Sequence, residues 1–376
     1  MLRWTKSAML TVVGGCLMFG TSAYAGTSYE PVSVKAKVET EAVSHGDDAA
    51  DDPAIWLHPT DPEDSKIIAT NKAGGLLVYD LEGRQNYAYA LGRMNNVDVR
   101  YDFKLGDAKI DIAGATNRTT NSIDLFRISS KGELTGINGK PIVSSMSEVY
   151  GFSLYHSLRS GKFYALVLGK NGEFEQYELY DNGNGKIDGK LVRSFTLGSQ
   201  SEGLVVDDEY GRMYIAEEDV GVWAFDAEPG GGSQGTLIAA VDNKRLTADV
   251  EGLTMYYGKD GDGYLIVSSQ GSNRYAVYDR EDDNEYLGSF TIADGRDIDG
   301  TTETDGIDVL NYDLGDAFEE GLFVAQDDQN VEKGEVVNQN FKLVAWEDIA
   351  DAFEEAGADI ESLDPVNPRE LKKRNP

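Results

Sequence analysis

SEGLVVDDEYGRMYIAEE, Ser201 to Glu218, is the stretch whose reading decides the fold. A polar and an acidic residue open an apolar strand, DDEYG makes a turn, and a second apolar strand stops on a carboxylate, the pattern of an antiparallel hairpin. The phrase returns five times. Its first strand opens as DDPAIW at Asp51, NNVDVR at Asn95, VYGFSL at Val149, VEGLTM at Val250 and TDGIDV at Thr304. Its second strand closes as TNK at Lys72, TNR at Arg118, LGK at Lys170, SSQ at Gln270 and AQD at Asp327. The second positions of the opening triplets, 52, 96, 150, 202, 251 and 305, lie 44, 54, 52, 49 and 54 residues apart. That period accommodates four strands and exceeds that of ladder-like solenoids, so the sequence predicts an all-β, six-bladed β-propeller.

In an antiparallel pair the start of one strand meets the end of the other. If the phrases are the inner strands of the blades, twelve positions ring one mouth of the central channel. The first three second strands close on Lys72, Arg118 and Lys170. The last three close on Glu218, Gln270 and Asp327 and open with Glu202, Glu251 and Asp305. A single such residue need do no more than solvate a blade end. Segregation of sign around a closed ring shapes a field.

Outside the repeats, YEPVSVKAKVETEAV (Tyr29 to Val43) alternates like a strand but has no blade of its own. The sixth copy supplies DGIDVL, GLFVAQ and FKLVAW and then a helical pattern, WEDIADAFEEAGADI. The expectation is that the N-terminal strand completes this last blade and closes the ring, with an independent edge strand as the alternative. Nothing between the blades reads as a linker, so residues 26–362 are taken as one propeller domain. The tail, residues 363–376, loses periodicity and reads as a surface coil with a basic end. YDNGNGKIDGKL (Tyr180 to Leu191) resembles an EF-hand loop but has Tyr180 and Leu191 where the first Asp and the bidentate Glu belong; it is read as a hairpin.

Residues 1–25 combine Arg3 and Lys6, an apolar run and Ala23-Tyr24-Ala25, the layout of a signal peptide with an A-x-A cleavage site. Export is therefore expected, to the periplasm or the medium, with no stable membrane span. A rival reading, a lipoprotein anchored through Cys16, shortens the apolar run and leaves the A-x-A without purpose. Cys16 is the only cysteine, so the mature chain should hold neither thiol nor disulfide.

A net charge of −32 and a pI near 4.3 exclude nucleic acid as partner. Thiol chemistry is excluded, and His45, His58 and His156 stand in no zinc or phosphohistidine pattern. Oxygen-donor chemistry remains. Asp51, Asp52, Glu202, Glu218, Asp249, Glu251, Asp299 and Asp305 are the candidate ligands for hard divalent cations, with calcium favoured because a many-armed ring offers many irregular oxygens. These carboxylates could not all stay ionised together without cations. Lys72, Arg118, Lys170 and Tyr150 stand opposite and suit phosphoryl oxygens.

The motifs DDPAIW, NNVDVRYDF, EVYGFSLYHS, GEFEQYEL, YIAEED, SSQG, TDGIDV, GLFVAQD and NQNFKLVAWE, in that order from about Asp47 to Ala350, strongly resemble the β-propeller phytases, the calcium-dependent alkaline phytases known from bacilli. That resemblance implies a 3-phytase-type hydrolase. Its substrate would be calcium-complexed phytate, myo-inositol hexakisphosphate. A calcium-activated water would attack directly to give inorganic phosphate and lower inositol phosphates. Carried over by position, Lys72, Arg118, Tyr150 and Lys170 match the phosphate contacts. Asp51, Glu202, Glu218, Asp249, Glu251, Gln270, Asp299 and Asp305 match the calcium and active-site ring, with Gln270 also against substrate. Asp52 with the main chain at Val97, and the loop Gln329-Asn330-Val331-Glu332, match further calcium sites. Asn171 stands where the bacillary pattern has Glu, and Gln329 and Glu332 replace Glu and Asp. Two rivals share the acidic wall: a calcium propeller acting as lactonase or phosphotriesterase, and a non-catalytic inositol-phosphate-binding propeller. The chain is expected to be a monomer.

Overall fold

The computed structural model describes residues 29–375 apart from residue 282, so the expected signal peptide and Cys16 lie outside the described residues. Six sheets stand around an axis. Blade 1 is Ala50–Trp56, Lys66–Asn71, Gly75–Tyr79 and Gln85–Ala90, and blade 2 is Met94–Leu105, Ala108–Asn117, Ser122–Ile128 and Leu134–Gly136. Blade 3 is Val149–Ser157, Lys162–Gly169, Glu173–Asp181 and Ile187–Thr196; blade 4 is Ser201–Asp207, Arg212–Glu217, Gly221–Asp226 and Thr236–Ala240. Blade 5 is Val250–Tyr257, Gly263–Ser269, Arg274–Asp279 and Tyr286–Ile292, and blade 6 takes Ile307–Leu310, Leu322–Asp327 and Asn340–Ala345. Each innermost strand packs on that of the next blade, and the sixth packs on the first, which closes the ring. The apolar faces meet between blades: Tyr155, Leu166 and Phe174 of blade 3 form one cluster with Leu204, Met213 and Ile215 of blade 4. Each such buried side chain contributes roughly 1.5–3 kcal/mol.

The repeated phrase has a steric reason. In five blades the inner hairpin carries a β-bulge, for example between the pairs Ser201↔Glu217 and Leu204↔Ile215, where Glu202 and Gly203 oppose Ala216 alone. A bulge re-aims a side chain. Here it turns the first bulged residue toward the channel mouth, while the second lies against the neighbouring blade. A Cβ on Gly151 would lie 1.9 Å from the carbonyl oxygen of Glu202, and one on Gly203 2.0 Å from that of Glu251. Glycine is what lets adjacent inner strands approach.

The N-terminal segment differs from the single strand expected. Val32–Val34 pairs in parallel with the outer strand of blade 5 (Val32↔Phe290), and Val38–Glu39 pairs antiparallel with Asn340–Ala345 of blade 6 (Val38↔Leu343). One stretch thus edges two blades, and alternation alone could not show where it changes partner. The helix Trp346–Ala356 lays Trp346, Ile349 and Phe353 on blade 5, against Tyr256 and Phe290, and ends at Gly357 with φ 73°. The EF-hand-like stretch is a hairpin, with Asp181 paired to Ile187.

The tail is irregular, as expected, but it is fastened rather than loose. It crosses the mouth of the channel opposite the charged ring, where Arg369 Nη2 donates to Leu57 O (2.7 Å) and Asp111 Oδ2 (2.5 Å) and its guanidinium lies 4.4 Å from the Tyr101 ring centroid. Further on, Lys372 N and Arg374 Nε bond Glu209 of blade 4. Above Arg369 the channel holds a cavity of about 410 Å³ lined by Asp52, Asp98, Asp208 and Asp308.

Candidate active site

One main-chain bond per blade defines the charged ring. The residue closing each second strand donates its N–H to a carbonyl just ahead of the opening: Lys72 to Ala49, Arg118 to Arg93, Lys170 to Glu148, Glu218 to Gln200 and Gln270 to Asp249, at 2.7–3.1 Å. In blade 6 the donor is Asp328, to Thr302 at 3.1 Å. The closing residue of the sixth copy is therefore Asp328, not Asp327, which is fully buried with Oδ2 3.4 Å from Lys342 Nζ. The bulges correct the openings in the same way. The first bulged residues are Asp51, Asn95, Tyr150, Glu202 and Glu251, with Asp305 in the equivalent place, so the ring takes Asp51, already a candidate for it, and Asn95, where the second positions of the opening triplets gave Asp52 and Asn96.

On one wall, Lys72 Nζ sits 2.5 Å from Asp48 Oδ1, 2.9 Å from Asp305 Oδ2 and 3.1 Å from Asp51 Oδ1. Burial opposes its charge, but Asp51, Asp305 and Glu202 outweigh that and hold its pKa well above the ordinary lysine value. Gln270 Nε2 donates to Asp305 Oδ1 at 2.7 Å. Arg118 is held by Glu148 Oε1, which accepts from Nε at 2.9 Å, and by Asn95 Oδ1, which accepts from Nη1 at 3.0 Å. Its guanidinium and the Lys170 ammonium both stand over the Tyr150 ring, 5.7 and 5.4 Å from the centroid, positions that attract a cation to the ring face.

On the other wall, the buried carboxylates of Glu202, Glu218 and Glu251 bring one oxygen each to within 4.8 Å of one another. Burial pushes Glu202 up to about 7, helped by Asp305 and opposed by Lys72 and Tyr150. Glu218 is likewise pushed to about 7 by burial, with Asp249 and Asp219 adding to it. Glu251 and Asp51 are driven well above the carboxylate range by burial and like-charged neighbours, and Asp249 is raised for the same reasons. Glu218 Oε1, Glu251 Oε2 and Asp51 Oδ2 are buried without a hydrogen-bond partner. All-oxygen donors with orphaned buried atoms fit a hard divalent cation.

Other expected residues lie apart. Asp52 Oδ2, below the ring, accepts from the main-chain N–H of Val97 at 3.0 Å, so Val97 presents its amide rather than its carbonyl. Asp299 belongs with the 329–332 loop and not with the Lys72–Asp305 group: its Oδ2 accepts from Val331 N at 2.6 Å, and it pairs with Lys342. Lys342 Nζ also bonds Glu39 Oε2 (2.6 Å) and Asn330 Oδ1 (3.1 Å), so an ammonium already engages these oxygens. Gln329 donates its N–H to Thr302 Oγ1 at 3.1 Å, and Val331 and Glu332 are exposed on a short hairpin. Asn171 donates to Ser147 Oγ at 2.9 Å. Sequence reading missed Asp48, Asn95, Glu148, Asp328 and Lys342. Of these, only Asn95 and Asp328 could have been found, by aligning the six copies on the bulge.

Residues 5–374 match the family model described as Phytase. The chain is 52% identical over 383 residues to the 3-phytase of Bacillus subtilis (strain 168), covering 100% of both chains. Among solved structures, BBS1N in complex with ARL6DN aligns over 77% of each chain at 13% identity with a TM-score of 0.44.

Proposed function

The chain belongs to the phytase family and is a phytase, and from that premise we propose that it hydrolyses phytate in a calcium-dependent reaction in which water attacks phosphorus directly. The observation that carries the cation is the set of buried, unpartnered oxygens of Glu218, Glu251 and Asp51 in the funnel that also holds Lys72 and Arg118. Glu202, Glu218, Glu251, Asp51, Asp305 and Asp249 would hold the ions. Calcium, when bound, supplies the positive charge that lets these carboxylates ionise together and makes a nearby water more acidic.

The chain's own residues do the rest. Lys72, Arg118 and Lys170 bind equatorial phosphoryl oxygens and stabilise the charge that grows on them, with Tyr150 as a fourth donor. Glu202 or Glu218, ionised beside the cation, would take the proton of the attacking water. The oxygen of that water ends on phosphate, the bond from phosphorus to the inositol oxygen breaks, and the released alkoxide takes up a proton. Neither serine, cysteine nor histidine is among these ring residues, and direct attack by water needs no covalent intermediate. Gln270, through Asp305, steadies the substrate side of the acidic wall.

We place calcium-dependent catalysis at the ring. The sites at Asp52 with Val97, where Val97 would have to offer its carbonyl in place of the N–H now given to Asp52, and at Gln329–Glu332 with Asp299 are proposed as structural calcium positions. The second requires Asp299 and Asn330 to exchange Lys342 for the ion. Export through residues 1–25 and a monomeric state complete the reading; among the described residues no helix is long and apolar enough to cross a membrane. The test is phosphate release from phytate by the chain from Gly26, with calcium and with excess chelator. Release only with calcium supports the reading, and equal release in both refutes it.

A further inference from the structure

Asn95 is fully buried and is the only amide among the six opening positions of the ring. It stands between the two walls. Its Oδ1 accepts from Arg118 Nη1 at 3.0 Å, and its Nδ2 donates to Glu202 Oε1 at 2.6 Å. A guanidinium can only donate and an ionised carboxylate can only accept, so these neighbours fix the orientation of the Asn95 amide, whose Nδ2 also lies 2.8 Å from the Asn96 side-chain amide. No other side-chain chemistry of this size serves both. A carboxylate there would keep Arg118 and repel Glu202, and an apolar residue would leave both buried partners short of a bond.

We propose that Asn95 is a positioning residue that couples the phosphate-binding arm, Arg118, to the cation-binding arm, Glu202. With Nε held by Glu148 and Nη1 held by Asn95, Arg118 has its Nη2 free of bonds among the described residues. The Asn95 bond to Oε1 sets the orientation of the Glu202 carboxylate, which brings an oxygen to the cluster with Glu218 and Glu251. The bulge makes this arrangement available. Asn95 and Asn96 together oppose Thr116, which turns the Asn95 side chain into the channel, where Glu202 of blade 4 meets it.

The inference rests on the calcium-dependent phytase reading, and two variants of the full chain test it apart from that reading. Asn95→Ala removes both bonds. Asn95→Asp keeps an acceptor for Arg118 and loses the donor to Glu202. Steady-state phytate hydrolysis across a calcium titration, with thermal melting in chelator as the check on folding, is the measurement. Asn95→Asp should keep the phytate KM within about 3-fold while raising the half-saturating calcium at least 10-fold. Asn95→Ala should raise both and lower kcat at least 10-fold. Either of two results overturns the proposal: both variants within 2-fold of wild type throughout, or equal losses in both that track a fall in melting temperature, as a packing role predicts. A wild-type enzyme that needs no calcium would retire the cation reading, and the KM comparison would still decide whether Asn95 orients Arg118.

Discussion

Replacing Glu202 with Gln should stabilise the cation-free protein at pH 8 while disabling it. Burial and Asp305 lift the folded-state pKa of Glu202 from 4.5 to about 7. The folded protein therefore keeps a proton that the unfolded chain has lost, and stability falls as pH rises between those values. Below about pH 4.5 there is no penalty, and above pH 7 it is complete, on the order of 3 kcal/mol. Glutamine keeps an acceptor for Asn95 Nδ2 and removes the charge. For a chain of this size the unfolding entropy converts about 1 kcal/mol into roughly 1.4 °C, so Glu202→Gln should melt about 4 °C above wild type in chelator at pH 8. The gain should shrink toward zero at pH 4.5. In saturating calcium at pH 8 the order should invert, because the carboxylate, not the amide, gains from the ion. Thermal melts at both pH values, with and without calcium, make the measurement. A melting point no higher than wild type in chelator at pH 8, or a gain independent of pH, refutes the argument.

Three further outcomes are expected. Lys72→Met should lower kcat/KM for phytate about 10²- to 10³-fold, and in chelator it should also lower the melting temperature, since Asp51 and Asp305 lose their counter-charge; steady-state kinetics beside thermal melts will show whether calcium restores the second loss but not the first. Gly203→Ala places a Cβ 2.0 Å from the carbonyl of Glu251 and should prevent cooperative folding, read as loss of the melting transition and of soluble yield. Arg369→Ala removes bonds to Leu57 and Asp111 at the far mouth and should destabilise by about 2–3 kcal/mol; kcat should stay at the wild-type value, and a loss of activity without a loss of stability would contradict the placement of the tail.

The period of the phrase and the turn residues between strands made the propeller legible, because hairpins of fixed length leave a regular pattern in any sequence. The polarity of the ring was legible for a related reason: each second strand ends where its apolar run ends. Register was harder. Asp51-Asp52, Asn95-Asn96 and Asp327-Asp328 are doublets of one residue type, and nothing in a doublet says which member faces the channel and which lies beneath. In blades 3 to 6 the glycine after Tyr150, Glu202, Glu251 and Asp305 breaks that tie, since only the second bulged position requires glycine. Lys342 was invisible for another reason. It sits in an apolar strand, FKLVAW, and reads as an outward-facing lysine until Glu39, Asp299 and Asn330 are seen converging on it from distant segments.

The fastening of residues 366–374 across the far mouth bears on how the chain is made. Val38–Glu39 pairs with Asn340–Ala345, made far later in the chain, and Arg369 and Arg374 reach back to blades 1, 2 and 4. Individual blades can form as they emerge from the ribosome. The circle cannot close until Asn340–Ala345 has been made, and the bonds of Arg369 and Arg374 follow it. A nascent chain therefore stays an open string of sheets until blade 6 is complete, and the tail finds its partners only on a closed ring.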